Sequence, residues 1–153
     1  MGTQRALGRR ARSPAELDAI LVGLVDRLSR RLRTAERVCR TVVLRLRFAD
    51  FARATRSHTL GEPTDETRVI LAAERELLGA AMPLIQARGI TLLGITVTNL
   101  TNAGEAQLAL GLDRRRALDA ALDDVRNRFG SAAITRAVLL GRDQGITMPL
   151  LPD

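Results

Sequence analysis

Hydrophobic and polar positions change period along the chain, and each change marks an element. Ser13-Pro14-Ala15-Glu16 reads as a helix opening: Ser13 can cap, Pro14 suits the first helical position, and Glu16 completes a capping box. Leu17, Ile20, Leu21, Leu24, Leu28 and Leu32 follow at helical spacing, with arginines crowding the final turn where they suit the dipole. An amphipathic helix is therefore predicted to about Arg33. From Thr41 the period becomes two, with Val42, Leu44, Leu46 and Phe48 on one face and Val43, Arg45 and Arg47 on the other. After Asp50-Phe51 a second run continues to Leu60, polar and β-branched, and the two runs predict an antiparallel hairpin.

Gly61-Glu62-Pro63 reads as a break, and Thr64 as the cap of a second helix carrying Ile70, Ala73, Leu77 and Leu84, with Asp65 and Glu66 in its first turn. Pro83 is expected to kink or end that helix early. Residues 90–100 return to strand, with Leu93, Ile95 and Val97 alternating against Gly94, Thr96 and Thr98. A loop at Thr101-Asn102-Ala103-Gly104 is predicted to lead into Gln107-Leu108-Ala109-Leu110-Gly111-Leu112. A third helix follows, with Leu118, Leu122, Val125 and Phe129 on one stripe, Asp123-Asp124 on a solvated face and Gly130 as its stop. Residues 144–153 contain two prolines and no period, so a flexible tail is expected. Met1-Gly2 reads as an appended start. The whole pattern predicts an α+β domain: a mainly antiparallel sheet with helices on one face and the other face open and lined by arginine.

Charge sharpens this picture. Among 153 residues Lys+Arg number 24 against 17 Asp+Glu, a formal net charge of +7, and every basic residue is arginine. A bias in codon usage accounts for arginine over lysine but not for the positive sign. Arginine forks two hydrogen bonds onto phosphate, so a polyanion partner is favoured, nucleic acid before anionic membrane. Cys39 is the single cysteine, which excludes an internal disulfide and disfavours a cysteine-based metal site. No apolar run approaches a membrane span, and a soluble, cytoplasmic, monomeric protein is expected.

Catalytic chemistry has little to stand on. His58, the single histidine, lies in a polar strand without a nucleophile and base nearby, and no glycine-rich loop or carboxylate set suggests phosphate cradling or two-metal catalysis. Binding has more. Arg45, Arg47, Arg53 and Arg56 are expected on a single exposed sheet surface, with Thr55, Ser57 and Thr59 adding hydroxyls. Such a ribbon can span a DNA groove and its flanking phosphates, although charged edge strands also serve simply to block aggregation. At 2% aromatic residues, base-stacking recognition loses ground to phosphate contact on duplex.

These residues resemble a family. Residues 41–51 (Thr41-Val42-Val43-Leu44-Arg45-Leu46-Arg47-Phe48-Ala49-Asp50-Phe51), followed by Thr55-Arg56-Ser57-His58-Thr59-Leu60, are similar to the strand-turn-strand of the little finger domain of Y-family translesion DNA polymerases, DNA polymerase IV branch. Leu92-Leu93-Gly94-Ile95-Thr96-Val97-Thr98-Asn99-Leu100 resembles its last strand, Ala6-Leu7-Gly8-Arg9 its first, and the helix ending Arg128-Phe129-Gly130 one found after the clamp motif. Ala6 stands where the family usually has serine, and Arg10 to Ser13 depart from its pattern. The resemblance implies a βαββαβ-like domain with a four-stranded sheet and two helices on one face, plus a C-terminal helix and tail. It implies a sheet that docks against primer-template duplex, with Arg9, Arg45, Arg47, Arg53, Thr55, Arg56, Ser57 and Thr59 as DNA contacts.

The resemblance further implies a sliding-clamp motif at Gln107, Leu108, Leu110 and Leu112, with Ile146, Met148, Pro149, Leu150 and Leu151 as a second candidate that lacks the glutamine in place. An edge strand with buried leucines is the competing reading of the first. The expected division is 1–106 for DNA binding, 107–112 for the clamp and 113–153 for the C-terminal helix and tail. No cofactor is expected in this chain; Mg belongs to the palm of a parent polymerase, and the chain alone is not expected to catalyse. The competing function is a protein-interaction adaptor from a catalytically inactive Y-family relative.

Overall fold

The computed structural model describes residues 1–110, 116–142 and 148–149. A first strand, β1 (Gly2–Ala6), leads to helix α1 (Pro14–Thr34), a hairpin of β2 (Arg37–Phe48) and β3 (Arg53–Thr64), helix α2 (Thr67–Arg88) and strand β4 (Ile90–Asn102). Helices α3 (Ala103–Leu110) and α4 (Arg116–Phe129), a 3-10 turn (Ala137–Leu139) and a two-residue strand β5 (Met148–Pro149) complete the order. All pairings are antiparallel in the order β3-β2-β4-β1-β5. The four principal strands and the two long helices behind them are the α+β arrangement expected. No helix among the described residues is long and apolar enough to cross a membrane.

The α1 opening follows its sequence: Glu16 N–H donates to Ser13 Oγ at 3.2 Å and Ser13 N–H to Glu16 Oε2 at 2.8 Å. The Ser13 amide, then Arg10, hold the Glu16 carboxyl down at about 2. The hydrophobic stripe buries Leu17, Leu21, Leu24, Leu28 and Leu32 against the sheet. Val42, Leu44, Leu46 and Phe48 of β2 meet them with Leu93, Ile95 and Val97 of β4. At ~1.5–3 kcal/mol for each fully buried side chain, this layer dominates the fold's stability.

Several expectations are corrected. The first strand is Gly2–Ala6 rather than the segment ending at Arg9, and Gly2 pairs with Thr96. Gly61-Glu62-Pro63 does not break the chain; it lies within β3, beside a register shift between Cys39 and Thr41 that absorbs the extra residues. Thr64 is not the α2 cap: the helix starts at Thr67 after Asp65 and Glu66, both buried. Pro83 does not end α2 either. It and Gly79, whose carbonyl would have been its partner, are exposed, while Leu78, Ala81 and Ile85 keep the helix on the core.

At the chain's end the differences are larger. The loop expected at Thr101-Gly104 is strand through Asn102 and helix from Ala103. On α4 the expected stripe is only partly turned inward: Leu122 and Val125 are half-buried, but Leu118 is 68% and Phe129 75% exposed, while Asp119 and Arg126 are buried. Asp119 accepts from Thr67 N–H at 2.9 Å, capping α2 from a distant part of the chain. Arg33 reaches Asp123 at 2.6 Å, and Asp26 pairs with Arg126 at 2.8 Å and Arg136 at 3.1 Å. Asp123 is therefore no solvated residue, and Met148–Pro149 of the supposed tail pair with β1.

Glu74 lies on the buried face of α2 with neither carboxylate oxygen hydrogen-bonded. Burial raises its pKa from 4.5 to about 8, and burial likewise pushes the nearby Cys39 thiol up to about 12. An acid raised on folding binds its proton more tightly in the native state, so stability falls as pH rises from about 4.5 to about 8. The loss attributable to Glu74 reaches on the order of 3 kcal/mol by pH 7. Glu74→Gln is expected to raise the melting temperature at pH 7 and flatten its decline between pH 5 and 8; an unchanged pH slope in thermal melts contradicts this account.

Candidate nucleic-acid interface

Strand pairing lays out the face turned away from the helices as rows of opposed residues. Arg53, Arg47, Leu92 and Ala6 form one; Thr55, Arg45, Gly94 and Gln4 the next; Ser57, Val43, Thr96 and Gly2 a third; Thr59, Thr41 and Thr98 a fourth. None of these residues is acidic. Gly94 lets the second row close up, since a Cβ there would lie 3.1 Å from Gln4 Cβ and 3.7 Å from Arg45 Cβ. Arg45 and Arg47 lay their stems on the sheet, half-buried, and Arg47 Nε donates to Thr91 Oγ1 at 3.2 Å. Arg53, Thr55, Ser57 and Thr59 are exposed along edge strand β3.

The rows separate residues the sequence had grouped. Arg56 pairs with Leu44 and therefore points to the helix side of β3, away from Arg45, Arg47 and Arg53. The two-residue period dictates this: 53, 55, 57 and 59 share one face and 56 cannot. Arg9 lies beyond β1, exposed beside the β2–β3 turn, its guanidinium carbon 5.9 Å from the Phe51 ring centroid. The structure adds Gln4, Thr41, Thr96 and Thr98, and Asn99 Nδ2 donates to Thr41 Oγ1 at 2.8 Å. Thr41 follows from the period of β2, but Gln4, Thr96 and Thr98 join the face only through the pairing of β4 with β2 and of β1 with β4.

Asn99 also marks a reversal of the sheet's alternation. It holds φ 53°, and beyond it Leu100 packs against the core together with Cys39, although strict alternation would put both on the open face. The rows of the open face thus end at Thr59–Thr41–Thr98.

Among the described residues, the paired acidic side chains lie elsewhere. Asp18 pairs with Arg75 at 2.7 Å, Glu16 with Arg10 at 2.6 Å, and Asp26, Asp119 and Asp123 with arginines of the helical layer. Asp50, in the β2–β3 turn, pairs with Arg88, whose guanidinium holds the carboxyl below its ordinary value. Among the described residues, paired charge gathers behind the sheet, while the rows in front carry arginine and no carboxylate, which suits phosphates. Among the described residues no group of three His, Cys, Asp or Glu is placed to hold a metal ion.

Gln107, Leu108 and Leu110 lie in α3, a helix and not the edge strand that competed as their reading. Leu112 lies outside the described residues. Of the second candidate, Met148 and Pro149 form β5, while Ile146, Leu150 and Leu151 also lie outside them.

Such an architecture defines a class: a two-layer α+β domain that turns a basic, uncovered sheet outward. The chain belongs to the impB/mucB/samB family C-terminal domain, whose model matches residues 1–110. It is 37% identical over 123 residues to a DNA polymerase IV of Desulfatibacillum aliphaticivorans, covering 76% of this chain and 31% of that one. It is 34% identical over 148 residues to DNA polymerase IV 2 of Mesorhizobium japonicum, covering 87% and 36%. The chain thus spans about a third of the length of these curated relatives. Among solved structures, a complex of the β-clamp processivity factor with the little finger domain of DNA polymerase IV matches with TM-score 0.52 and 28% identity, covering 72% of this chain and 97% of that one. A Dbh ternary complex matches at TM-score 0.54 and 9% identity, covering 63% and 27%, which is agreement of fold alone. The little finger resemblance read from the residues holds.

The face assignment has a direct test. Arg45→Ala combined with Arg47→Ala is expected to cost about 1 kcal/mol in urea denaturation, because only surface contacts are lost. Leu46→Ala, between them, is expected to cost about 2–5 kcal/mol by opening a core cavity. The reverse order would mean that the two faces have been exchanged.

Proposed function

We propose that this chain grips primer-template duplex DNA through phosphate contacts and links a polymerase to its sliding clamp, without taking part in catalysis itself. The observation that carries the reading is the open sheet face, where Arg45, Arg47 and Arg53 stand in adjoining rows with Thr55, Ser57 and Thr59 and no carboxylate among them. The names of its relatives and the clamp complex among its structural neighbours support the same reading. Arg9 would add a contact at the hairpin end, and Arg56 a contact at the edge only if a strand of DNA wraps around β3. In this reading residues 1–106 hold DNA, 107–112 meet the clamp, and 113–153 form a C-terminal segment. Phosphoryl transfer and its Mg²⁺ would belong to the remaining two thirds of a parent polymerase.

Phosphate contact has a thermodynamic signature. Duplex affinity is expected to fall linearly on a log–log plot against salt, by about 0.9 in slope for each phosphate neutralised, and to vary little with sequence. Arg45→Ala with Arg47→Ala is expected to flatten that slope by about two. Salt-insensitive or strongly sequence-selective binding in anisotropy titrations would sink the proposal. Clamp binding with no duplex binding would instead favour the adaptor reading.

The clamp segment is tested separately. Replacing Gln107, Leu108 and Leu110 with alanine is expected to abolish binding to purified clamp, and truncation after Arg142 to preserve it. Binding lost on truncation but kept in the alanine variant moves the site to the segment containing Ile146, Met148, Pro149, Leu150 and Leu151.

A further inference from the structure

The β2–β3 connection holds a residue that its backbone geometry disfavours. Phe51 N–H donates to Phe48 C=O at 3.0 Å, Phe48 N–H donates to Ala52 C=O at 2.9 Å, and Phe51 between them has φ 65°. This is a turn followed by a left-handed residue, the arrangement in three-residue hairpin loops where glycine is preferred because a Cβ is crowded. Phenylalanine there is strained, and its ring gains little packing in return. Phe51 is 69% exposed and absent from the hydrophobics packed on the core, whereas Phe48, three residues earlier, is fully buried.

The surroundings indicate what an exposed ring could meet. Arg47 and Arg53 form the last cross-strand pair before the loop, so the ring lies at the end of the arginine-bearing face. Arg9 sits over one side of the ring at 5.9 Å, near the outer limit of a cation–π contact. With most of the ring exposed, the other side is left to solvent. Asp50, the loop's carboxylate, pairs with Arg88 and accepts from Ala52 N–H at 3.2 Å, so it opposes no approaching phosphate unneutralised. An aromatic face bounded by arginines offers stacking on one side and phosphate contact beside it, the chemistry of an unpaired nucleotide. Bases inside a duplex keep their faces covered, whereas an unpaired base can swing out to offer one.

We propose that Phe51 stacks on an unpaired base where duplex DNA passes into single strand, with Arg9 backing the ring. The inference rests on the reading of the sheet as a duplex-binding face and adds to it a preference for junctions. Two DNA probes with the same duplex length, one blunt and one carrying a single-stranded 5′ extension, test it by fluorescence anisotropy. Phe51→Gly relieves the left-handed strain, and Phe51→Leu keeps apolar bulk without a π face. Phe51→Gly is expected to raise the melting temperature, and both variants to lose about tenfold in affinity for the extended probe while the blunt probe changes by less than about twofold. Arg45→Ala with Arg47→Ala should weaken both probes alike. Unchanged affinity of Phe51→Gly for the extended probe, or equal loss on both probes, overturns the junction contact and leaves the sheet reading standing. Failure of the unaltered chain to bind either probe overturns the sheet reading itself.

Discussion

Burial of Val42, Leu44, Leu46 and Phe48 against the helices is the constraint from which the exposed face follows. Strand β2 is paired on both sides, with β3 and β4, so its register fixes theirs. A slip of one residue would drive Arg45 and Arg47 into the core and turn these four apolar side chains to water. Burying an unpaired guanidinium is far costlier than any gain a shifted register could offer. The proposed binding surface is therefore held in place by the hydrophobic effect on its opposite side, and the arginines need contribute nothing to the fold to be well positioned.

Charge is divided along the same plane. Behind the sheet, Asp26, Asp119 and Asp123 tie α4 and the following turn to α1 and α2 through Arg33, Arg126 and Arg136. Buried pairs of this kind add little net stability, because desolvation offsets most of the attraction, but removing one partner strands the other. Their effect here is on orientation: α4 is held by its polar side, and Leu118 and Phe129 are left outside. Those carboxylates are held behind the sheet, and the rows that carry Arg45, Arg47 and Arg53 contain no acidic residue.

Legibility in the sequence divides at the same boundary between local and distant interactions. The α1 cap, its leucine stripe and the alternation of β2 and β4 are consequences of neighbouring residues, and each is present as read. Arg56 does not share the patch of Arg45, Arg47 and Arg53, because the period of two sets it on the other face of β3 from Arg53. Other differences needed partners remote in sequence. No local pattern shows that Asp119 caps α2, that Met148–Pro149 adds to β1, or that Gln4 completes the row of Arg45. Glu74 is the sharpest case: its position falls on the buried stripe of α2, yet its residue type argues for solvent, and only packing decides between them.

The relation between the proposed DNA face and the proposed clamp segment follows from β4. A hinge at Thr101-Gly104 would have let the segment swing free of the sheet, but β4 runs through Asn102, paired there with Arg37, and α3 begins at the next residue. Ala103 N–H donates to Glu36 C=O at 2.8 Å, tying the start of α3 to the connection between α1 and β2. The same strand carries Gly94, Thr96 and Thr98 on the open face and pairs with β1 and β2 on its two sides. The direction in which α3 leaves the sheet is consequently set by the hydrogen-bonded ladder that positions the arginine rows. A partner bound at the start of α3 would meet a rigid attachment point, and its orientation relative to any DNA on the sheet would be fixed by the domain and not by a linker.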